Sequence, residues 1–174
     1  MKKTILSIFF SSIVLIGFNI VLTSSSRGRA FDANSGNTGA PNETTTCRSC
    51  HGTGFGTTVA ITIKDTSGTV VSSYDPGDTL TVDVEVKTTT GSPSRYGYQI
   101  VSLKSNNSPV NDWIQPASNT RIASAGTKTY SEHKGKSTTS TFSSKWVAPA
   151  AGSGRIVFYA GGAAVNIVDL DDLV

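Results

Sequence analysis

The sequence predicts an all-β protein, an immunoglobulin-like Greek-key β-sandwich, and three observations carry this prediction. Apolar residues make up only 37% of the 174 residues, and threonine, serine and glycine take their place. After residue 57, short segments in which apolar and polar residues alternate are separated by turn residues. Outside the first thirty residues no segment has helical periodicity. Eight or nine short strands at this spacing predict one sandwich domain over residues 57–174.

The individual strands follow from the alternation of apolar and polar residues. The clearest strand is expected where Leu80, Val82, Val84 and Val86 alternate with polar residues. The segment 155–160 is apolar on both faces, which predicts a central strand. The segment 96–103 predicts another strand, with a register break after Ile100. Further strands are expected near 59–64, 70–71, 110–114, 121–123, 127–133 and 138–146, and the tail 165–174 is either an edge strand or a disordered end.

Residues 1–30 have the pattern of an export segment. Lys2 and Lys3 precede an apolar run from residue 5 to 22. The segment RGRA at 27–30 is a poor cleavage site, and the run is almost long enough to span a bilayer. Two outcomes are therefore open, a cleaved signal peptide or an uncleaved N-terminal segment that attaches the protein to a membrane. In both, the protein is exported, either to the periplasm or to the cell surface and exterior.

The charge distribution argues against nucleic acid as a partner. The whole chain has 15 basic and 12 acidic residues, but four of the basic ones precede residue 31 and no acidic one does. From residue 31 onward, eleven basic residues face twelve acidic ones, a net charge of −1. Nucleic-acid binding needs a clustered basic surface, and the basic residues here are scattered along predicted strands.

The segment 31–56 reads as an irregular arm, and it contains both cysteines of the chain in the sequence CRSCH at 47–51. Two thiols separated by two residues and followed directly by histidine form the attachment motif of c-type haem. Cys47 and Cys50 would each add to one vinyl group of the porphyrin. His51 would then bind the iron from the proximal side. The sequence therefore predicts one covalently bound haem c.

The second axial position of the iron has one leading candidate. Methionine often pairs with histidine in cytochromes, but the only methionine is Met1. The only histidine besides His51 is His133, which we expect to be the distal ligand. Two histidine ligands would give a low-spin haem of low potential and would block the binding of small molecules. Both properties favour electron transfer over catalysis.

Other uses of the two cysteines remain open. A Cys47–Cys50 disulfide is feasible in an oxidising compartment, although so small a loop stabilises a fold little. A thioredoxin-like redox pair would need a βαβ setting, which the sequence lacks. Zinc could use Cys47, Cys50 and His133, but it would still need a fourth ligand.

Four segments together resemble choice-of-anchor V domain proteins, exported bacterial proteins related to the reelin N-terminal (Reeler) β-sandwich. They are TGAP at 38–41 before the cysteines, YDPGD at 74–78, WVAPAAGSG at 146–154 and FYAGGAAVN at 158–166. The resemblance implies a sandwich with a haem segment at its N-terminal edge and a histidine ligand at the position of His133. Such proteins often continue into a C-terminal sorting module, whereas this sequence ends at Val174, so a periplasmic location or an N-terminal anchor is expected.

The sequence thus favours a monohaem electron carrier that exchanges electrons with redox partner proteins and is not an enzyme. Two alternatives stay open. One is a non-catalytic surface module for binding or adhesion, in which Cys47 and Cys50 form a structural pair. The other is a haem sensor or peroxidase with an open iron site. An irregular arm beside an exposed haem edge would also permit self-association, which the sequence neither requires nor excludes.

Overall fold

The computed structural model describes residues 26–49, 51 and 55–166. Most of the predicted export segment, Cys50 and the end of the tail lie outside these residues. The elements are a short helix α1 (Arg29–Ala33), a 3-10 turn (Cys47–Ser49), and the strands β1 (Thr57–Lys64), β2 (Thr79–Thr88), β3 (Arg95–Lys104), β4 (Trp113–Ile114), β5 (Thr120–Ala125), β6 (Lys128–His133), β7 (Thr141–Val147) and β8 (Ile156–Val165). None of the helices among the described residues is long and apolar enough to cross a membrane.

The strands form two antiparallel four-stranded sheets, which confirms the predicted all-β sandwich. The first sheet has the order β1-β2-β7-β4 and the second has the order β5-β6-β3-β8. Only β1–β2 and β5–β6 follow each other within one sheet, so every other connection crosses from one sheet to the other. The segment predicted to break register after Ile100 is instead one continuous strand, paired with β8 from Arg95 opposite Val165 to Lys104 opposite Ile156.

The core lies between the sheets and is built from the alternating residues that predicted the strands. Leu80, Val82, Val84 and Val86 are all buried on the inner face of β2. Aromatic side chains fill the remaining space, with the rings of Tyr98 and Phe142 stacked at 4.3 Å between centroids. The indole Nε1 of Trp146 donates to Ser102 Oγ at 2.9 Å, so the largest core residue leaves no polar atom unpaired. Burial raises the pKa of Tyr98 to about 12, because its phenolate would be desolvated.

Strand β8 corrects one prediction. Its two apolar faces predicted a central strand, but β8 lies at the edge of its sheet, paired only with β3. The inner face of β8 packs into the core through Phe158, while Tyr159 on the outer face packs against a second apolar cluster that includes Ala30 and Ala40. Both faces of β8 are therefore covered, the outer one by the N-terminal arm, and this coverage explains the apolar pattern without a second neighbouring strand.

The arm before β1 lies across the outer face of the second sheet. Its cluster joins Ala30 and Ala40 to Val101 and Leu103 of β3 and Tyr130 of β6. Helix α1 is a local feature of five residues, too short to give a helical period in the sequence. Because the arm is docked rather than extended, the segment that contains Cys47 is brought against the sheet.

Candidate functional site

His133 stands at the point where β6 separates from β3. The two strands pair at Gln99–Glu132 and Ile100–Ser131, and the pairing ends there. The imidazole of His133 then takes the place of the missing backbone partner. Its Nδ1 lies 3.0 Å from the carbonyl oxygen of Tyr98 and 3.2 Å from the Tyr98 nitrogen. This contact fixes Nδ1 against the backbone of β3. Nε2 lies on the opposite side of the ring from that contact.

Gly97 provides the surface on which the imidazole rests. A Cβ added at Gly97 would lie 3.1 Å from both Cε1 and Nδ1 of His133 and 3.3 Å from its Nε2. These nearly equal distances show that the face of the ring, not its edge, covers the glycine. A position inside a strand usually carries a side chain, so a glycine here marks the close approach of another group to the backbone.

Cys47 and His51 approach the same sheet from the arm. Cys47 begins the 3-10 turn, and its carbonyl accepts a hydrogen bond from the His51 N–H at 3.2 Å. The thiol of Cys47 donates to the carbonyl of Asn37 at 3.6 Å. A Cβ added at Gly161 of β8 would lie 2.9 Å from this sulfur and 2.6 Å from the Asn37 oxygen. The arm therefore sits directly on β8 at a position that lacks a side chain.

Small residues occupy three of the outward positions between these groups. Gly161 lies opposite Gln99, and Ala163 lies opposite Gly97. Because outward positions recur every second residue, Gly97, Gly161 and Ala163 all face outward on adjacent strands. We call these three residues the small-residue platform. His133 borders it on one side and Cys47 on the other.

The two histidines are close enough to affect each other electrostatically. Partial loss of solvent and then the positive charge of His133 lower the pKa of His51 below its ordinary value. The neutral imidazole, which this shift favours near neutral pH, is the form that offers a lone pair to a metal. The structure thus places His51 within electrostatic range of His133 and within one turn of Cys47, and Cys50 lies outside the described residues.

A chain of buried polar groups anchors the arm and was not predicted from the sequence. Glu132 is completely buried, and its carboxylate accepts the N–H groups of Ala30 and Phe31 and the side-chain amide of Gln99, each at 2.9 Å. The amide oxygen of Gln99 in turn accepts the Asn37 N–H at 2.6 Å. Since the carbonyl of Asn37 receives the Cys47 thiol, this chain connects the strand of His133 to the cysteine.

A second buried carboxylate holds the part of the arm that precedes the cysteine. Glu43 accepts hydrogen bonds from the N–H and hydroxyl groups of Thr38, at 2.6 and 2.9 Å, and from the Tyr130 hydroxyl at 2.9 Å. Lys128 lies 3.5 Å from the same carboxylate. Burial, followed by the hydrogen bond to Glu43, raises the pKa of Tyr130, so the phenol keeps the proton that it donates.

Sequence signals existed for only part of this arrangement. Gly97 and Gly161 lie inside strands, which is a recognised sign of close backbone approach. Glu132 lies two residues after Tyr130 in a largely polar strand, so it looks like a surface residue until the arm is placed over it. Gln99 and Asn37 carry no sequence signal, because their partners are distant in the chain. Within residues 26–49, 51 and 55–166, no three or more histidine, cysteine, aspartate or glutamate residues form a group that could hold a metal ion.

Replacing Gly161 by alanine is expected to lift the arm at Cys47. The added methyl group would overlap the Asn37 oxygen and the Cys47 sulfur. Overpacking of this kind lowers the stability of the docked position by about 1–3 kcal/mol. Since 1.4 kcal/mol is a factor of ten, the thiol of Cys47 should react about five times faster or more with Ellman's reagent. The measurement uses haem-free protein that carries Cys50→Ser, so that one thiol is counted.

The control for this prediction is Gly135→Ala. An added methyl group at Gly135 meets no atom within 4 Å, so the reaction rate of Cys47 should not change. An equal rate for the Gly161→Ala and Gly135→Ala proteins would contradict the docked position of the arm.

Comparison with known proteins gave matches to solved structures only. No protein-family model matches the chain, and no curated protein matches it. A fragment of the human F-spondin reeler domain is 16% identical with a TM-score of 0.46, over 62% of this chain and 81% of that one. The Reelin-N domain of F-spondin is 17% identical with a TM-score of 0.45, over 62% and 72%. A second fragment of the human reeler domain is 19% identical with a TM-score of 0.43, over 62% and 75%.

Proposed function

We propose that this chain is an exported monohaem c-type cytochrome that transfers electrons and catalyses no reaction of its own. One haem would be attached through Cys47 and Cys50, with His51 and His133 as ligands of the iron. The observation that carries the proposal is that the only two histidines of the chain lie within electrostatic range of each other, beside the turn of Cys47. They are 82 residues apart in sequence, so the fold has to bring them together.

The residues of the site fit such a group in the chemistry of their donors. Two imidazoles and a thiol lie at one end of the second sheet, and these are the groups that attach and ligate a c-type haem. Glycine at positions 97 and 161 lets the ring of His133 and the sulfur of Cys47 lie directly against the sheet, because a Cβ at either position would collide with them.

Each protein group has a distinct part in this proposal. The bound haem supplies one-electron chemistry. Cys47 and Cys50 keep it attached outside the cell, where a lost cofactor is not recovered. With the proton of His133 on Nδ1, the carbonyl of Tyr98 would accept that N–H at 3.0 Å and the lone pair would be on Nε2. Glu132, Gln99 and Asn37 hold Cys47 against the strand next to that of His133.

Export and family membership belong to the same proposal. The basic start and apolar run of residues 2–22 support passage across a membrane, followed by cleavage or by retention as an anchor. The four segments of the choice-of-anchor V resemblance support membership in that group. Both the redox partner proteins and self-association are proposed on the basis of an exposed haem edge, and no nucleic acid is expected to bind.

A second candidate is a non-catalytic binding or adhesion module with a structural Cys47–Cys50 pair. The observation that favours it is an open groove of about 660 Å³ at the start of β8, far along the strand from the small-residue platform. Tyr74, Pro76 and Ile63 line the groove together with the turn 150–155. Moreover, hydrogen bonds between protein groups, from Asn37 to Gln99 and from Cys47 to Asn37, hold the arm on the sheet.

The test is a pyridine haemochrome spectrum of the full chain, produced in cells that mature c-type cytochromes. We expect the spectrum of a doubly attached haem c, at one haem per chain. Cys47→Ser and Cys50→Ser should each lose double attachment, whereas Arg48→Gln, a change of an exposed residue between them, should keep it. If the purified chain instead shows no c-type band and mass spectrometry finds a Cys47–Cys50 disulfide, the cytochrome proposal is wrong and the binding module is favoured.

A further inference from the structure

A buried lysine and a buried glutamate lie in contact where the arm crosses β6. Lys128 is the first residue of β6, and Glu43 lies 85 residues earlier, in the arm. Their side chains are only 14% and 4% exposed, and Lys128 Nζ lies 3.5 Å from Glu43 Oε1. The proposed haem site uses neither group. The fold thus brings an amine nucleophile and a carboxyl group together at a place that water scarcely reaches.

The contact differs from an ordinary surface ion pair. On the first sheet, Lys64 Nζ lies 2.8 Å from Asp83 Oδ2, and both side chains are partly exposed. Lys128 instead makes its short contact, 2.8 Å, with the carbonyl oxygen of Pro41. Glu43 takes its short hydrogen bonds from uncharged groups. Uncharged donors, rather than the ammonium, therefore make the closest contacts of this carboxylate.

The two oxygens of Glu43 have different surroundings. Oε2 accepts the N–H and the hydroxyl of Thr38, at 2.6 and 2.9 Å, and the N–H of Gly39 at 3.1 Å. Donors that converge on one oxygen in this way stabilise the negative charge of a tetrahedral intermediate. Oε1 instead accepts the Tyr130 hydroxyl at 2.9 Å and faces Lys128. One oxygen is thus placed to become an oxyanion, and the other is placed to receive protons and leave.

Gly36 lets the backbone of the arm close over the pair. A Cβ added at Gly36 would collide with the Tyr130 hydroxyl and with the Glu43 carboxylate. Without a side chain at this position, the backbone lies directly against both groups. Burial of this kind disfavours the charged forms of the amine and the carboxyl group. A proton can therefore pass from the ammonium of Lys128 to Glu43, which leaves a neutral amine beside a carboxylic acid.

We propose that Lys128 and Glu43 condense into an isopeptide bond, a covalent link between the arm and β6. Nζ attacks Cδ of Glu43 to form a C–N bond, and Oε2 takes up the negative charge. The Cδ–Oε1 bond then breaks. Oε1 leaves as water, with its carboxyl proton and with one proton from the nitrogen that the Tyr130 hydroxyl passes on. The step occurs once per chain, releases one water molecule and needs no oxidant, reductant or second substrate.

Proximity supplies the driving force that free amines and acids in water lack. Well-oriented groups within one molecule reach effective concentrations of about 10⁵–10⁸ M, which favours condensation even in aqueous surroundings. The bond would join the arm, which contains Cys47, to the strand that ends at His133. This link goes beyond the proposed function and does not depend on it, because neither haem nor iron takes part in the step.

The experiment is intact mass spectrometry of the purified, haem-free full chain, with both cysteines alkylated and the N-terminus identified. The mass should be lower than the mass calculated from the sequence by one water molecule. Trypsin should fail to cut after Lys128 and should release a branched peptide in which residues 30–48 are joined to residues 122–134. Fragment spectra should place the link between Glu43 and Lys128.

Variants of the pair test the chemistry. Lys128→Arg keeps the positive charge but removes the nucleophilic amine, so this chain should have the full calculated mass and give separate peptides. Tyr130→Phe keeps both partners and removes the proton relay, so the linked fraction in freshly purified protein should fall several-fold. The Lys64–Asp83 pair is a control within the same digest and should give no branched peptide, because it lacks the converging donors.

The outcomes separate this proposal from the cytochrome proposal. A parent chain of full calculated mass that trypsin cuts after Lys128 shows an ion pair only and overturns the isopeptide bond. A loss of water that fragment spectra map to other residues overturns it as well. Either result leaves the haemochrome spectrum as the independent test of haem attachment. A chain that carries the link and shows no c-type band would retain the isopeptide bond and lose the cytochrome function.

Discussion

Replacing Glu132 by leucine is expected to lower the free energy of unfolding by about 3–5 kcal/mol and to detach the N-terminal arm. Glu132 is completely buried, and its carboxylate is the shared acceptor for Ala30, Phe31 and Gln99. Leucine has a similar volume but accepts no hydrogen bond, so three N–H donors would be left unpaired under the arm. Each hydrogen bond to a charged group contributes about 1.5–3 kcal/mol, part of which is recovered when donors reach water.

The measurement is chemical unfolding followed by tryptophan fluorescence, with hydrogen exchange of the arm amides as a second readout. Exchange in residues 29–49 should accelerate more than exchange in β2, because β2 lies in the other sheet and does not pair with the strand of Glu132. Glu132→Gln should cost less than the leucine variant, since one amide oxygen still accepts. Glu85→Gln is the matched control: Glu85 has a half-exposed side chain, and its loss should change stability by no more than about 0.5 kcal/mol.

A loss below about 1 kcal/mol for Glu132→Leu would mean that the arm is held by its apolar contacts alone. Those contacts are few, because Ala30 and Ala40 are the arm residues in the second apolar cluster. Small side chains bury little area, so the polar anchors have to contribute most of the docking energy. The arrangement of the candidate site therefore depends on Glu132 and Glu43 more than on hydrophobic packing.

The sheet core could be predicted from the sequence because burial on one face leaves a period of two. Val82, Val84 and Val86 alternate with polar residues, and each is buried as expected. The same reasoning misplaced β8, because periodicity reports which faces are covered and not which strands are neighbours. A docked arm covers the outer face of β8 as well as another layer would. Pairing partners depend on residues far apart in sequence, for which alternation carries no information.

The candidate site also has one part that the local sequence predicts and another part that depends on the fold. The spacing of Cys47, Cys50 and His51 is local, so the motif could be read directly from the sequence. His133 could be nominated by elimination, because the chain has two histidines. The surroundings of His133, however, depend on where β6 leaves β3. That point determines that its Nδ1 meets the Tyr98 backbone and that Gly97 lies under its ring. The anchors Gln99 and Asn37 depended on the docking of the arm, which no local pattern encodes.

Replacing His133 by alanine is expected to convert the haem from low spin to high spin, the largest change that one substitution can produce at this site. With two imidazole ligands the iron is low spin in both oxidation states. Loss of one imidazole leaves an open or water-bound position and a weaker ligand field. The absorption spectrum of the oxidised protein and its electron paramagnetic resonance signal should both change to those of a high-spin ferric haem, while haem content stays at one per chain.

A purely structural role for His133 makes a different prediction, and exogenous imidazole distinguishes the two. His133 also bonds the Tyr98 backbone, so its removal is expected to destabilise the end of β3 whether or not it binds iron. Added imidazole cannot repair a strand end, but it can enter the space left by the side chain and bind iron. Recovery of the low-spin spectrum with imidazole therefore reports ligation. Lys134→Gln, at the exposed neighbouring position, is the control and should leave the spectrum low spin.

The methionine variant extends the argument to the redox potential. His133→Met would replace an imidazole by a thioether, which stabilises the ferrous state, so the potential should rise relative to the parent protein. The rise requires that residue 133 reach the iron, whereas a residue that only packs over Gly97 would leave the potential nearly unchanged. A low-spin spectrum that persists in His133→Ala, together with an unshifted potential in His133→Met, would exclude His133 as the second ligand and favour the open iron site of a sensor or peroxidase.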